Sequence, residues 1–210
     1  MGLIKLLLND PVAFVLLAVL LLYSVILHEV AHGWVAWRMG DPTAKWLGRL
    51  TLNPIKHIDP IGSLMLLVIG FGWAKPVPIN LENIPAAQRR KGLILVSAAG
   101  VTANIIIAFC ALLVWRLTSP APGSMMYQVL YLLAYINILL AAFNLIPIPP
   151  LDGSKILMGF TPESFNRVLY QIEPFGFFVV LGLLLTGVLN PVINMFQSAI
   201  ISLISLFLPS

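Results

Sequence analysis

Charge is what this sequence has least of. Only 10% of its 210 residues are Asp, Glu, Lys or Arg, against 60% hydrophobic residues. With a mean hydropathy of +0.98, the chain lies far outside the range of soluble domains, which excludes a water-soluble enzyme or carrier. Cys110 is the single cysteine, so neither an intrachain disulfide nor a zinc cluster built on thiolates can form. No internal repeat or low-complexity segment is visible. The net charge of +4 comes from Lys and Arg gathered in loops, which fits membrane orientation and lipid headgroups. Nucleic acid is excluded as a partner because no recognition motif accompanies that charge.

What the chain does contain is long apolar runs, at about residues 11 to 38, 92 to 116, 127 to 146, 175 to 190 and 192 to 208. The first three are long enough to span, since about 20 helical residues cross a bilayer. The first run continues to Arg38 without a small-residue cleavage site and reads as a retained span. A shorter patch, Ile61 to Phe71, is flanked and interrupted by Gly62, Gly70 and Gly72 and reads as a re-entrant or β-like loop between the first two long helices. The last two runs meet at Asn190-Pro191, a turn signal. The expected fold is an all-α polytopic membrane protein of about four to six spans, forming one integral-membrane domain over 1–210. Its catalytic core covers about 11–155 and its C-terminal helical segments about 156–208.

Arg38, Lys45, Arg49, Lys56, Lys75, Arg89, Arg90 and Lys91 all fall between the first two spans, whereas Thr118 to Gln128 carries no Lys or Arg. The positive-inside rule makes the basic connection cytoplasmic. The expected location is therefore a multi-pass position in the cell membrane. Trp34, Trp37, Trp46 and Trp73 fit as interfacial anchors near that surface.

Inside the first run stands His28-Glu29-Val30-Ala31-His32. On a helix His28 and His32 share a face, where two imidazoles can grip one metal while Glu29 acts on a metal-bound water. A charged group at a helix centre in the membrane costs roughly 2.5–3.5 kcal/mol and persists with a partner and a function. The alternative is a buried cluster that only hydrogen-bonds between helices. His28 lies roughly 15 Å along the helix from Arg38, near the cytoplasmic end.

A catalytic zinc takes three protein ligands and keeps one position open, so a third group is needed. Asp41-Pro42 and Asp59-Pro60 read as turns. Asp152 stands out because it ends Asn144-Leu-Ile-Pro-Ile-Pro-Pro-Leu-Asp152-Gly153, where three prolines forbid a regular helix at the end of the third span. It competes with a capping role at Gly153-Ser154, and Glu163 and Glu173 are rival carboxylates. His57, among Asn53-Pro54 and Asp59-Pro60, reads as structural. Asn137 and Asn104 are suited to pair across helices.

These residues resemble the site-2 protease family of intramembrane zinc metalloproteases. The resemblance rests on His28 to Gly33 and Asn144 to Gly153, and extends to Leu52 to Gly62, Gly72 to Ile79 and Ser97 to Asn104. It implies that Zn2+ is held by His28, His32 and Asp152, with Glu29 as general acid and base. Asn144 and Asn104 would be active-site asparagines that position substrate or polarise the scissile carbonyl. The chain departs from the pattern at Val101, where relatives often carry proline. It resembles a minimal member without PDZ or CBS domain, and without the extra N-terminal span of some relatives. The implied activity is hydrolysis of peptide bonds in single-span membrane proteins, within or near the bilayer, following an earlier cut outside. Gly72 to Pro78, rich in proline, is expected either to pair with a substrate strand or to anchor the loop at the interface. A transporter or metal channel is the competing class.

Overall fold

The computed structural model describes residues 3–209. Its helices, in chain order, are α1 (Ile4–Asn9), α2 (Pro11–Arg38), α3 (Thr43–Trp46), α4 (Pro60–Ile69), α5 (Arg89–Thr118), α6 (Met125–Asn144), α7 (Asp152–Phe160), α8 (Glu163–Ile172), α9 (Gly176–Leu185) and α10 (Asn190–Ser205). Four stretches are long and apolar enough to cross a membrane: Pro11–Arg38, Ala86–Thr118, Met125–Asn144 and Glu163–Leu185. Among the described residues there is no β-strand. The all-α polytopic expectation holds.

The helix ends follow from local chemistry. The Asp10 carboxylate accepts from the Ala13 N–H at 2.9 Å and Pro11 supplies the first turn of α2, a position where a missing N–H costs nothing. Ser124 caps α6 through the Tyr127 N–H at 3.2 Å. Asp59 caps α4 through the Gly62 N–H at 2.8 Å, and Gly70 ends it in the left-handed region at φ 87°, where a side chain would be strained.

Helix α4 is about 15 Å long, too short to span. After it the chain runs back as an irregular segment over 71–80 without a β-ladder. The return is tight: a Cβ on Gly72 would collide with the Gly62 carbonyl, and one on Gly62 with the Trp73 carbonyl. Two glycines thus allow the chain to double back closely on α4.

At the other end, the chain turns at 186–189, where Gly187 has φ 74°. Asn190 and Pro191 do not form the turn, as their sequence suggested, but open α10. Proline is tolerated in a first helical turn, so it marks the start of the helix. Leu189, Ile193, Ile200 and Ile204 pack with Val101 and Ala108 of α5 and Ile138, Ala141 and Ala142 of α6 in one cluster. Small residues at the α5 and α6 contact let the backbones approach, which is how membrane helices gain packing where lipid offers no hydrophobic drive.

Candidate active site

Helix α2 presents His28 and His32 on one face, and α5 receives them because Gly100 has no side chain there. A Cβ on Gly100 would lie 2.5 Å from His28 Cε1 and would overlap His32 Nε2. The rings meet edge-on, with centroids 4.5 Å apart. His28 Nε2 and His32 Nε2 are 3.0 Å apart. Asp152 Oδ2 lies 3.2 Å from the first and 3.1 Å from the second. Asp152 is the first residue of α7, and its carboxylate does not cap that helix, which removes the capping alternative. Glu173 instead faces Lys155 at 4.0 Å, and Glu163 lines a neighbouring groove. His28, His32 and Asp152 are brought together as a cluster able to hold a metal.

The protons on these rings are determined by what lies behind them. His32 Nδ1 is 2.6 Å from the Val96 carbonyl, which can only accept, so Nδ1 carries the hydrogen. His28 Nδ1 is 2.7 Å from Asn104 Oδ1, another acceptor. Both Nε2 atoms therefore point lone pairs at the Asp152 oxygen. That oxygen is buried and has no hydrogen-bond donor among the described residues. Three electron-rich atoms facing one another fit a cation between them. Tetrahedral zinc with bonds of 2.0–2.1 Å would set its ligands about 3.3 Å apart, close to the spacing seen. Two imidazoles and a carboxylate are also a catalytic donor set that leaves a position open.

Glu29 stands beside this cluster, and its Oε2 accepts from the Val77 N–H at 2.7 Å. Both belong to the walls of a cavity of about 320 Å³ that His28, His32, Asn144, Asp152 and Ile79 also line. Asn144 donates through Nδ2 to the Leu140 carbonyl at 2.9 Å, which leaves its Oδ1 free of that bond. Asn104 is elsewhere. It is fully buried behind His28, where its Nδ2 donates to Asn137 Oδ1 at 2.7 Å. The expectation that it contacts substrate is not met by its position. The expected pairing of Asn104 with Asn137 is present.

Asp41 does more than form a turn. Fully buried, it accepts from the Thr43 N–H at 3.1 Å and the Thr43 hydroxyl. It also accepts from the Asn80 N–H and from Asn83 Nδ2, each at 2.7 Å. Burial raises its carboxyl, yet these bonds prevail and lower it below the ordinary value. The sequence carried no visible signal for these four donors. His57 is structural, as expected: its Nε2 donates to the Thr51 carbonyl at 2.9 Å and its own carbonyl accepts from Lys75 N–H at 2.8 Å. Trp34, Trp37, Trp46 and Trp73 are all at least partly exposed. Arg38 lies over Trp34 and Lys45 over Trp37, at 5.7 and 4.2 Å from the ring centroids.

Comparison with known proteins agrees with this chemistry. A model described as peptidase family M50 matches residues 117–187. The chain is 39% identical over 200 residues to "Putative zinc metalloprotease YwhC" of Bacillus subtilis, covering 90% of each. It is 32% identical over 182 residues to "Putative zinc metalloprotease Rip2" of Mycolicibacterium smegmatis, covering 84% of this chain and 69% of that one. Identity to "Zinc metalloprotease MJ0392" of Methanocaldococcus jannaschii is 27% over 201 residues, 95% of this chain and 49% of the relative. No solved structure matches. With apolar helices able to span a membrane and this degree of likeness, the chain belongs to peptidase family M50, the site-2 protease family, and is a multi-pass membrane zinc metalloprotease.

Proposed function

We propose that the protein cleaves single-span membrane proteins within or near the bilayer, as a step of regulated intramembrane proteolysis. The reading assigns zinc to His28, His32 and Asp152 and the proton transfers to Glu29. The observation that carries it is the convergence of three lone-pair atoms, 3.0–3.2 Å apart, beside Glu29 in one cavity. A transporter would spread polar groups across depth, and here they meet at one point.

Zinc when bound supplies Lewis acidity, which acidifies water and polarises a peptide carbonyl. Glu29 takes the proton of the attacking water at Oε1, since Oε2 is held by the Val77 N–H. It then passes that proton to the leaving amine. Asn144 borders the same cavity and orients the carbonyl to be cut. A helical substrate must unwind first, because its carbonyls are engaged in i to i−4 hydrogen bonds. The irregular segment 71–80 suits that task. Its Val77 carbonyl and both Ile79 backbone groups have no partner among the described residues, so a substrate strand can pair with them.

The active site faces the cytoplasmic side of the plasma membrane in this reading. Eight of the twelve basic residues lie from Arg38 to Lys91, and Pro76, Val77, Ile79 and Leu81 of that connection line the cavity. Substrates would be membrane-tethered proteins already trimmed outside.

The decisive comparison uses detergent-purified wild type and Glu29→Gln with a labelled single-span protein, with and without a zinc chelator. Wild type is expected to cut, to stop on chelation and to recover with added zinc. Glu29→Gln should keep its zinc and lose about 10²–10⁴-fold in rate, the usual contribution of a general acid-base group. Equal rates for the two proteins would reject the mechanism.

A further inference from the structure

Behind the proposed metal ligands runs a chain of hydrogen bonds across three helices whose direction is fixed by its ends. It begins at the Leu133 carbonyl of α6, an atom that can only accept. Asn137 Nδ2 donates to it at 2.8 Å, so the amide of Asn137 can stand only one way round. Its other Nδ2 hydrogen goes to Ser24 Oγ on α2 at 2.8 Å. The Ser24 hydroxyl can receive that bond because it spends its own hydrogen on the Leu20 carbonyl at 2.7 Å.

With Asn137 fixed, Oδ1 is left to face α5, and it accepts from Asn104 Nδ2 at 2.7 Å. That fixes Asn104 in turn. Its Oδ1 faces His28 Nδ1 at 2.7 Å and can only accept. The second Asn104 hydrogen points at the Ser24 carbonyl, 3.5 Å away. Ser24, Asn104 and Asn137 are each at most 1% exposed, so water cannot reverse the order.

We propose that Ser24, Asn137 and Asn104 form a one-way hydrogen-bond relay that holds His28 in its Nδ1–H tautomer and directs the Nε2 lone pair at the metal. They are positioning residues, because Asn137 and Ser24 touch neither substrate nor metal and act through Asn104. Buried asparagines between membrane helices could serve packing alone. Packing would not require that every donor and acceptor run in the same direction, ending on the ligand's second nitrogen. Outer partners of a metal-bound imidazole fix its tautomer and ring orientation, and losing one typically costs 10–100-fold in affinity.

The inference rests on the zinc assignment above, and its test reads the metal directly. Zinc affinity is measured by chelator competition, and the visible spectrum is recorded after cobalt(II) substitution, for wild type, Asn137→Leu, Asn137→Asp, Asn104→Leu and Asn104→Asp. Asn137→Leu removes the acceptor that orients Asn104 and is expected to weaken zinc binding 10–100-fold and change the cobalt spectrum. Asn137→Asp, held neutral by burial, keeps an oxygen for Asn104 and a hydroxyl for Leu133, so affinity and spectrum should return. The Asn104 pair should behave alike, because Asp keeps an acceptor for His28 and Leu does not. That pair decides the question if Asn137→Leu fails to fold. Failure of wild type to bind zinc would overturn the zinc assignment itself. A wild type that binds, together with a folded Leu variant of matching affinity and spectrum, would overturn the relay alone.

Discussion

The two walls of the cavity are built on different principles. One is helical: α2, α5 and α6 satisfy their own backbone groups, so Ser24, His28, His32, Asn104 and Asn137 have side chains to spare for one another. The other is irregular, made by the 71–83 stretch, and several of its backbone groups are held one at a time by single side chains. Glu29 holds the Val77 N–H, Arg49 Nη2 holds the Lys75 carbonyl at 2.8 Å, and Asp41 holds the Asn80 N–H. Rigid geometry at the proposed metal ligands and adjustable geometry at the proposed peptide-facing edge follow from that division. Each clamp satisfies one backbone group in a stretch that has no regular hydrogen-bond ladder.

The contrast can be broken most severely from the helical side. Gly100→Ala places a methyl group where His28 and His32 pack, and neither helix can shift without disturbing many neighbours. We expect metal binding and cleavage to fall below detection while the protein remains membrane-inserted, as checked by zinc content and proteolysis of the purified variant. Normal zinc content in Gly100→Ala would mean that α2 and α5 are less closely fixed than described.

The irregular wall should fail more gently. Asp41→Ala orphans donors from Thr43, Asn80 and Asn83 and should cost about 1–3 kcal/mol, the usual penalty of unsatisfied buried groups. Thermal unfolding in detergent measures it. The pH dependence has a definite sign. The folded carboxyl of Asp41 lies below its ordinary value, so its contribution is full above about pH 3.9 and is lost as the pH falls through the lowered folded value. Asp41→Asn should therefore show a flatter stability profile on the acid side than wild type. Identical acid limbs would show that the Asp41 carboxylate does not stabilise the fold in this way.

The smallest effect is expected at Arg49→Met, which frees the Lys75 carbonyl but leaves Glu29 and Asp41 in place. A few-fold rise in KM with kcat nearly unchanged would mark a substrate-binding role for this edge. A fall in kcat alone would place the loop's influence on chemistry instead.

Legibility in the sequence followed the same division. Spacing of four residues sufficed for His28 and His32, because a helix puts such a pair on one face whatever surrounds it. Pro147, Pro149 and Pro150 sufficed to break the helix ahead of Asp152. The position of Asn104 was not legible: its number along α5 leaves open whether it faces the cavity or the back of His28, and helix rotation decides. Asp41 followed by proline has the form of any turn, and its partners Asn80 and Asn83 lie about forty residues later in the chain. Asn190-Pro191 was ambiguous for a related reason, since proline serves both turns and first helical turns, and only the path around Gly187 distinguishes them.

By itself the sequence determined the class of molecule, the number of long spans within narrow limits, and the chemical character of the site. Those properties depend on composition and on spacing along single helices, which neighbours do not alter. Tertiary structure alone decided which carboxylate meets the histidines, which asparagine reaches the cavity, and which way the hydrogen bonds run behind His28. Such matters depend on distances between segments far apart in the chain, and those distances are set only when α2, α5, α6 and α7 pack together.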